Sequence, residues 1–192
     1  FWNVTRYEDI MTVDTNHDSF SSAGSITAVD PDEDFTLPMF IAMDPPKHDH
    51  QRKEVSSSVQ PSNLAKMEST IRQRVCGILD SLPRGEEFNW VELVSIELTT
   101  QMLATLFDFP FEDRSKLTRW SDVATADEES GIVESEDQRR AELGECLEYF
   151  TRLWNERVNE PPRGDLISML AHGESTKNMD PFEYLGNLVL LI

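Results

Sequence analysis

Apolar residues recur every third or fourth position through most of this chain, the period of helices with one buried face. The clearest stripe is Leu64, Met67, Ile71, Val75, Ile78 and Leu82. It predicts a helix over 61–82, closed by Pro83 and Gly85, with those residues at the core and Cys76 a small buried hydrophobe beside them. Over Trp90–Phe107, Val91, Val94, Leu98 and Met102 mark one face while Leu93, Ile96, Leu103 and Leu106 mark others. A helix apolar nearly all round is expected to be buried, and Phe109-Pro110-Phe111 ends it. Glu112–Ala126 reads as a shorter helix with Leu117, Trp120, Val123 and Ala124 inward, followed by an acidic connection over 127–134 that contains Gly131. A long helix over Glu136–Val158 carries Leu143, Leu147, Phe150, Trp154 and Val158 down one face, with Glu142, Glu145 and Glu148 in solvent. Pro161-Pro162-Arg163-Gly164 breaks the chain, and Asp165–Leu170 is a short helix stopped by Gly173. Asp180-Pro181-Phe182-Glu183 combines a capping aspartate, a first-position proline and a glutamate three residues after the cap. It starts a helix that is almost wholly apolar from Tyr184 to Ile192.

The first 43 residues are less regular. Trp2–Arg6 is strand-like, Tyr7–Met11 helical, and Ala23–Met43, with Gly24, Pro31 and Pro38, has no sustained period and reads as a loop. Glu87-Phe88-Asn89 is a second short strand candidate. The fold class is mainly α, with a little β near the N-terminus.

The stretch that organises the rest is Met43-Asp44-Pro45-Pro46-Lys47-His48-Asp49-His50-Gln51-Arg52-Lys53. Asp44 as a cap and Pro45 at the first helical position predict a helix over 44–59. His48 and Arg52 lie one turn apart, and Val55 and Val59 continue their stripe, so that face is expected to point inward. An imidazole and a guanidinium in an apolar interior call for an anion, and a carboxylate suits the planar fork of Arg. A local Asp or Glu would satisfy them as well as a ligand.

Composition narrows the classes. The chain has 192 residues, enough for one domain, and a formal net charge of −19, which argues against nucleic acid and anionic membrane as partners. Residues 1–43 carry one basic side chain, Arg6, against eight acids, whereas 44–84 carry seven bases and five acids. The two cysteines, Cys76 and Cys146, are far apart, with no disulfide or metal-site spacing. With no apolar run long enough to span a membrane and no signal peptide, a cytoplasmic monomer is expected. The chain begins without Met and ends in an uncapped apolar run, so it is read as a partial domain, cut at both ends.

Asp-Pro-Pro-x-His-x-x-x-Arg resembles the C-helix signature of bacterial cytochromes P450. Ile96-Glu97-Leu98-Thr99-Thr100-Gln101-Met102-Leu103, Phe109–Arg114, Asp165–Leu170 and Tyr184-Leu185-Gly186-Asn187 are similar to the soluble subfamily that hydroxylates alkanes and fatty acids at the terminal carbon. The resemblance implies the N-terminal half of such a protein: substrate-pocket loop 23–43, C helix 44–59, D helix 61–82, E helix 90–107, F–G region 112–158 and the start of the I helix at 181–192. It implies heme b held through its propionates by His48 and Arg52, and substrate near Ile26, Leu37, Phe40, Ile41 and Val123. It further implies O2 as co-substrate, and NADH electrons delivered by a ferredoxin reductase and a ferredoxin docked at Lys47, Lys53, Arg72 and Arg74. Lys47 stands where bacterial members commonly carry an acid. The thiolate loop Phe-x-x-Gly-x-x-x-Cys-x-Gly and the Glu-x-x-Arg pair have no counterpart, so neither cysteine is assigned to iron and no catalytic residue is expected here. A steroid or terpene hydroxylase is the alternative within the family. A non-catalytic acidic helical domain that binds a partner through its apolar end is the alternative outside it.

Overall fold

The computed structural model describes residues 2–24, 26, 36–126 and 130–192. Its helices are α1 (Tyr7–Thr15), α2 (Lys47–Ser56), α3 (Pro61–Ser81), α4 (Glu97–Phe107), α5 (Ser115–Thr125), α6 (Glu136–Val158), α7 (Leu166–His172) and α8 (Pro181–Leu191). A π-helical segment, Val91–Ile96, runs into α4, and single 3-10 turns lie at Phe40–Ala42, Ser57–Val59 and Phe111–Asp113. Residues 25 and 27–35 of the loop expected over 23–43, the start of the acidic connection at 127–129, and Phe1 lie outside the described residues.

Several ends follow from the sequence chemistry. Asp165 accepts from Ser168 N at 2.8 Å, and Asp180 from Phe182 N and Glu183 N at 2.9 and 3.0 Å. Each cap satisfies donors that the helix leaves open, worth about 1 kcal/mol. Ser135 does the same for α6 through Gln138 N. Asp108 ends α4 in the left-handed region at φ 48°, so the helix stops at Phe107 as expected, just before Phe109-Pro110-Phe111.

The core is aromatic and is built by α4, α5, α6 and the turn between α4 and α5. Phe107, Phe109 and Trp120 converge on Phe150, with ring centroids 5.6, 5.5 and 5.9 Å from it. Tyr149 stacks on Phe109 at 4.8 Å. Helices α5 and α6 are clamped outside this cluster by Arg119 on Glu142 and by Lys116 on Glu145. That hydrogen bonding holds the Glu142 carboxyl below its ordinary range despite some desolvation. Arg139 donates to the carbonyls of Val123 and Ala126, both at 2.6 Å, and so closes the C-terminus of α5.

Four expectations are corrected. Among the described residues there is no strand: 2–6 and 87–89 run without a neighbouring edge to take their backbone groups, and Trp2 is 96% exposed. In α3 only Ile78 is buried; Leu64 and Cys76 are exposed. The segment entering α4 exposes Trp90, Val91, Leu93 and Ile96, and the buried face is Thr100, Gln101, Ala104 and Phe107. On α6 the buried stripe is Leu143, Cys146, Phe150, Leu153 and Arg157, while Val158 is exposed. Leu143 and Phe150 are inward as expected, whereas Cys146, Leu153 and Arg157 take the places expected of Leu147, Trp154 and Val158, one residue earlier each. Among the described residues no helix is long and apolar enough to cross a membrane.

Candidate functional site

Helix α2 begins two residues later than its prolines suggested. Pro45 and Pro46, joined by a cis bond, form a turn, and the first helical backbone bonds run from His48 N to Asp44 O and from His50 N to Pro46 O. The Asp44 carboxylate does not cap the helix. It accepts from Ser21 Oγ at 2.5 Å and Ser22 N at 2.8 Å, tying the segment after α1 to this turn. Those two bonds hold its carboxyl below the usual aspartate range.

The inward stripe of α2 is Gln51 and Val55, continued by Ser58 in the 3-10 turn that follows, at 2, 5 and 6% exposure, with His48 half-buried one turn earlier. Arg52 and Val59 face outward. The expected inward face, His48–Arg52–Val55–Val59, is therefore corrected: the stripe advances 48, 51, 55, 58, and Arg52 falls to its side. Gln51 takes the buried position because α8 supplies polar partners for it.

Those partners form a chain of hydrogen bonds. Lys47 Nζ meets both oxygens of the buried Glu183, at 2.9 and 3.0 Å, and Gln51 Nε2 donates to Glu183 Oε1. Asn187, fully buried one turn along α8, donates from Nδ2 to Gln51 Oε1 at 3.1 Å and accepts from Phe40 N through Oδ1 at 2.8 Å. Phe40 O in turn accepts from His48 Nδ1 at 2.8 Å, and the two rings meet edge to face at 6.2 Å. A buried carboxylate is tolerable because a cation and an amide both reach it. Glu183 does not reach back to its own cap as a capping box would. Glu183 at the head of the apolar 184–192 run and Asn187 one turn into it were the available signal for this network, and the spacing of Gln51 from Lys47 was a second.

His48 Nε2 and the Arg52 guanidinium have no partner among the described residues. His48 is held by its other nitrogen, and Arg52 is exposed. A guanidinium that is always cationic, with an imidazole one turn away, suits a pair of carboxylates.

The remaining expected site residues divide. Phe40, Val123 and, half-buried, Leu37 pack in one apolar cluster, Val123 with no exposure, whereas Ile26 and Ile41 are 57 and 44% exposed. Lys47 is committed to Glu183, and Arg74 lies 4.4 Å over the Phe111 ring. Arg72 makes only a surface pair with Glu68, and Lys53 is exposed. A cleft of about 720 Å³ between α3 and the start of α4 is lined by Arg74, Ile78, Glu97 and Arg114, among others, but by no residue of α2. Cys146 is buried, and desolvation pushes its thiol far above the ordinary range, so it is a protonated packing group.

No family model matches the chain. Among solved structures, CYP153D17 from Sphingomonas sp. PAMC 26605 superposes with a TM-score of 0.88 at 47% identity, over 100% of this chain and 49% of that one. Cytochrome P450-153 from Novosphingobium aromaticivorans gives 0.85 at 44% identity, again over 100% and 49%. Linalool 8-monooxygenase of Pseudomonas putida is 27% identical over 100% of this chain and 50% of its own length. Steroid C26-monooxygenase of Mycolicibacterium smegmatis is 28% identical over 91% and 42%. The chain spans about half the length of the relatives it matches. Along its whole length the chain is similar in sequence and fold to about half of each of the Sphingomonas and Novosphingobium cytochromes P450.

Proposed function

We propose that this chain holds the cofactor carboxylates and part of the substrate roof in a heme-dependent monooxygenase acting on terminal carbons of alkanes or fatty acids. The observation that carries the reading is the pair of unpartnered groups on α2, His48 Nε2 and the Arg52 guanidinium, on the stretch that resembles the family signature. The family's cofactor, heme b, bears two propionates on an apolar macrocycle. A fork of five N–H donors beside an anchored imidazole fits those carboxylates. When bound, the heme supplies the O2 and electron chemistry. The protein residues bind and orient: Arg52 supplies fixed positive charge, His48 a second donor, and the Glu183–Gln51–Asn187 chain keeps α2 seated on α8. The iron ligand is assigned to neither Cys76 nor Cys146. Electrons would come from NADH through a ferredoxin reductase and a ferredoxin, with Lys53 and Arg72 the exposed bases of the docking side.

Arg52→Ala is expected to weaken heme retention roughly ten- to hundredfold, the value of one charge-assisted hydrogen bond. Helix content should not change, because the side chain is exposed. Heme occupancy by Soret absorbance and far-UV circular dichroism read the two quantities; undiminished occupancy would remove the propionate role.

The substrate class rests on the 47 and 44% identities to the two P450-153 structures. The second reading, a terpene or steroid substrate, draws on the names of the linalool and steroid C26 relatives at 27 and 28%. Spin-state shifts separate them. Octane or a long fatty acid should move the Soret band of the holoprotein; a shift with linalool or a sterol and none with alkyl chains would favour the second.

A further inference from the structure

We propose that His48 receives a carboxylate only as the imidazolium, so that heme loading draws one proton into this site. The inference rests on the assignment of His48 and Arg52 to the cofactor carboxylates, and it adds the protonation state and its origin. A backbone carbonyl can only accept, so the 2.8 Å contact to Phe40 O places the ring hydrogen on Nδ1. That carbonyl is not free to turn away. Phe40 N is anchored to the buried Asn187 at 2.8 Å, and Met43 N also donates to Phe40 O, closing the 3-10 turn. Flipping the ring would put a carbon against the carbonyl and forfeit the bond. A neutral His48 thus presents a lone pair at Nε2, and a carboxylate oxygen arriving there meets repulsion; protonation turns the same atom into a donor.

The surrounding charges leave the arriving anion as the deciding group. On its own segment His48 has Asp44, Lys47, Asp49 and Arg52. Asp44 is engaged by Ser21 and Ser22, with His17 nearby, and Lys47 by Glu183. From α8, Glu183 is spent on Lys47 and Gln51; from α7, His172 meets the Arg157 carbonyl. Arg52 stands exposed one turn on, with no acid paired to it among the described residues.

Deprotonation removes the donor, so affinity for hemin falls as pH rises, by up to about tenfold per pH unit. The test is hemin titration of the full chain at pH 6, 7 and 8, with wild type, His48→Gln and Arg52→Ala, and with hemin dimethyl ester as a carboxylate-free probe. The expected result is a steeper loss with pH for wild type than for H48Q. R52A should keep the wild-type slope at lower affinity, and with the diester wild type and H48Q should have equal slopes. Equal slopes with hemin itself, while R52A still binds more weakly, overturn the proton coupling and leave the carboxylate assignment standing. Wild-type affinity for both variants at every pH sinks the assignment. Should H48Q fail to fold, the ring nitrogen shifts of wild-type His48 decide: a neutral Nδ1–H tautomer supports the proposal and Nε2–H overturns it.

Discussion

Arg157→Ala lowers the stability of the chain by about 3 kcal/mol, the low end of the cost of breaking a buried ion pair. The side chain is 8% exposed, yet it reaches four acids: Asp108 at 2.9 Å, Asp165 at 3.6 Å, Glu160 at 3.8 Å and Glu156 at 3.9 Å. It also donates to the Asp108 carbonyl at 3.2 Å, bracing the left-handed residue that ends α4. Its own carbonyl accepts from His172 of α7. Removing the guanidinium strips the buried Asp165 of one cation, while Arg163 at 3.4 Å stays and keeps the loss at the low end. Arg163 is 41% exposed, so Arg163→Ala should cost less than about 1 kcal/mol, as screened pairs do. Urea unfolding of the two variants makes the comparison. Equal midpoints would mean that burial does not set the value of this cluster. Raised salt should erode the small Arg163 effect and leave the Arg157 effect nearly intact.

Gly186→Ala is expected to cost about 2–4 kcal/mol, the sum of overpacking and a lost buried hydrogen bond. A methyl group there would lie 2.1 Å from the Pro38 carbonyl oxygen, 2.8 Å from its carbon and 3.1 Å from the Leu37 carbonyl carbon. All three are backbone, so no rotamer relieves the clash. Segment 37–40 must lift from α8, and the bond from Phe40 N to Asn187 goes with it. Gly77→Ala in α3 is the control. Nothing lies within 4 Å of its added carbon, and alanine is the better helix former, so that change should raise stability by about 0.5–1 kcal/mol. A G186A midpoint at or above wild type would show that the loop does not rest on the glycine.

What could be read in advance divides along physical lines. Helix existence follows local rules, and α3, α6, α7 and α8 lie where periodicity, Pro61, Asp165 and Asp180 put them. Facing depends on neighbours. On α6, Leu147 and Trp154 compete with Cys146 and Leu153 for the inward row, and only the partners on α5 and α8 decide. The exposed Trp90, Val91, Leu93 and Ile96 show the same limit: apolar content does not say what covers a face. At the site, His48 and Arg52 stood out through chemistry and family signature. Gln51, Glu183 and Asn187 did not, because their roles are pairings across 132–147 residues that no local pattern encodes. The Asp44 cap failed for a related reason: two serines 22 and 23 residues earlier claim its oxygens.

The Lys47–Gln51 and Glu183–Asn187 pairs are each one helical turn apart, and they engage turn for turn across the α2–α8 seam. Such a double latch admits a single register. Sliding α8 by one residue, ~1.5 Å along its axis, would strand a dehydrated carboxylate, and a full-turn ratchet of ~5.4 Å would leave one polar pair facing hydrocarbon. Helices α2 and α8 should therefore travel as one unit, and amide exchange should open them together rather than peel one from the other.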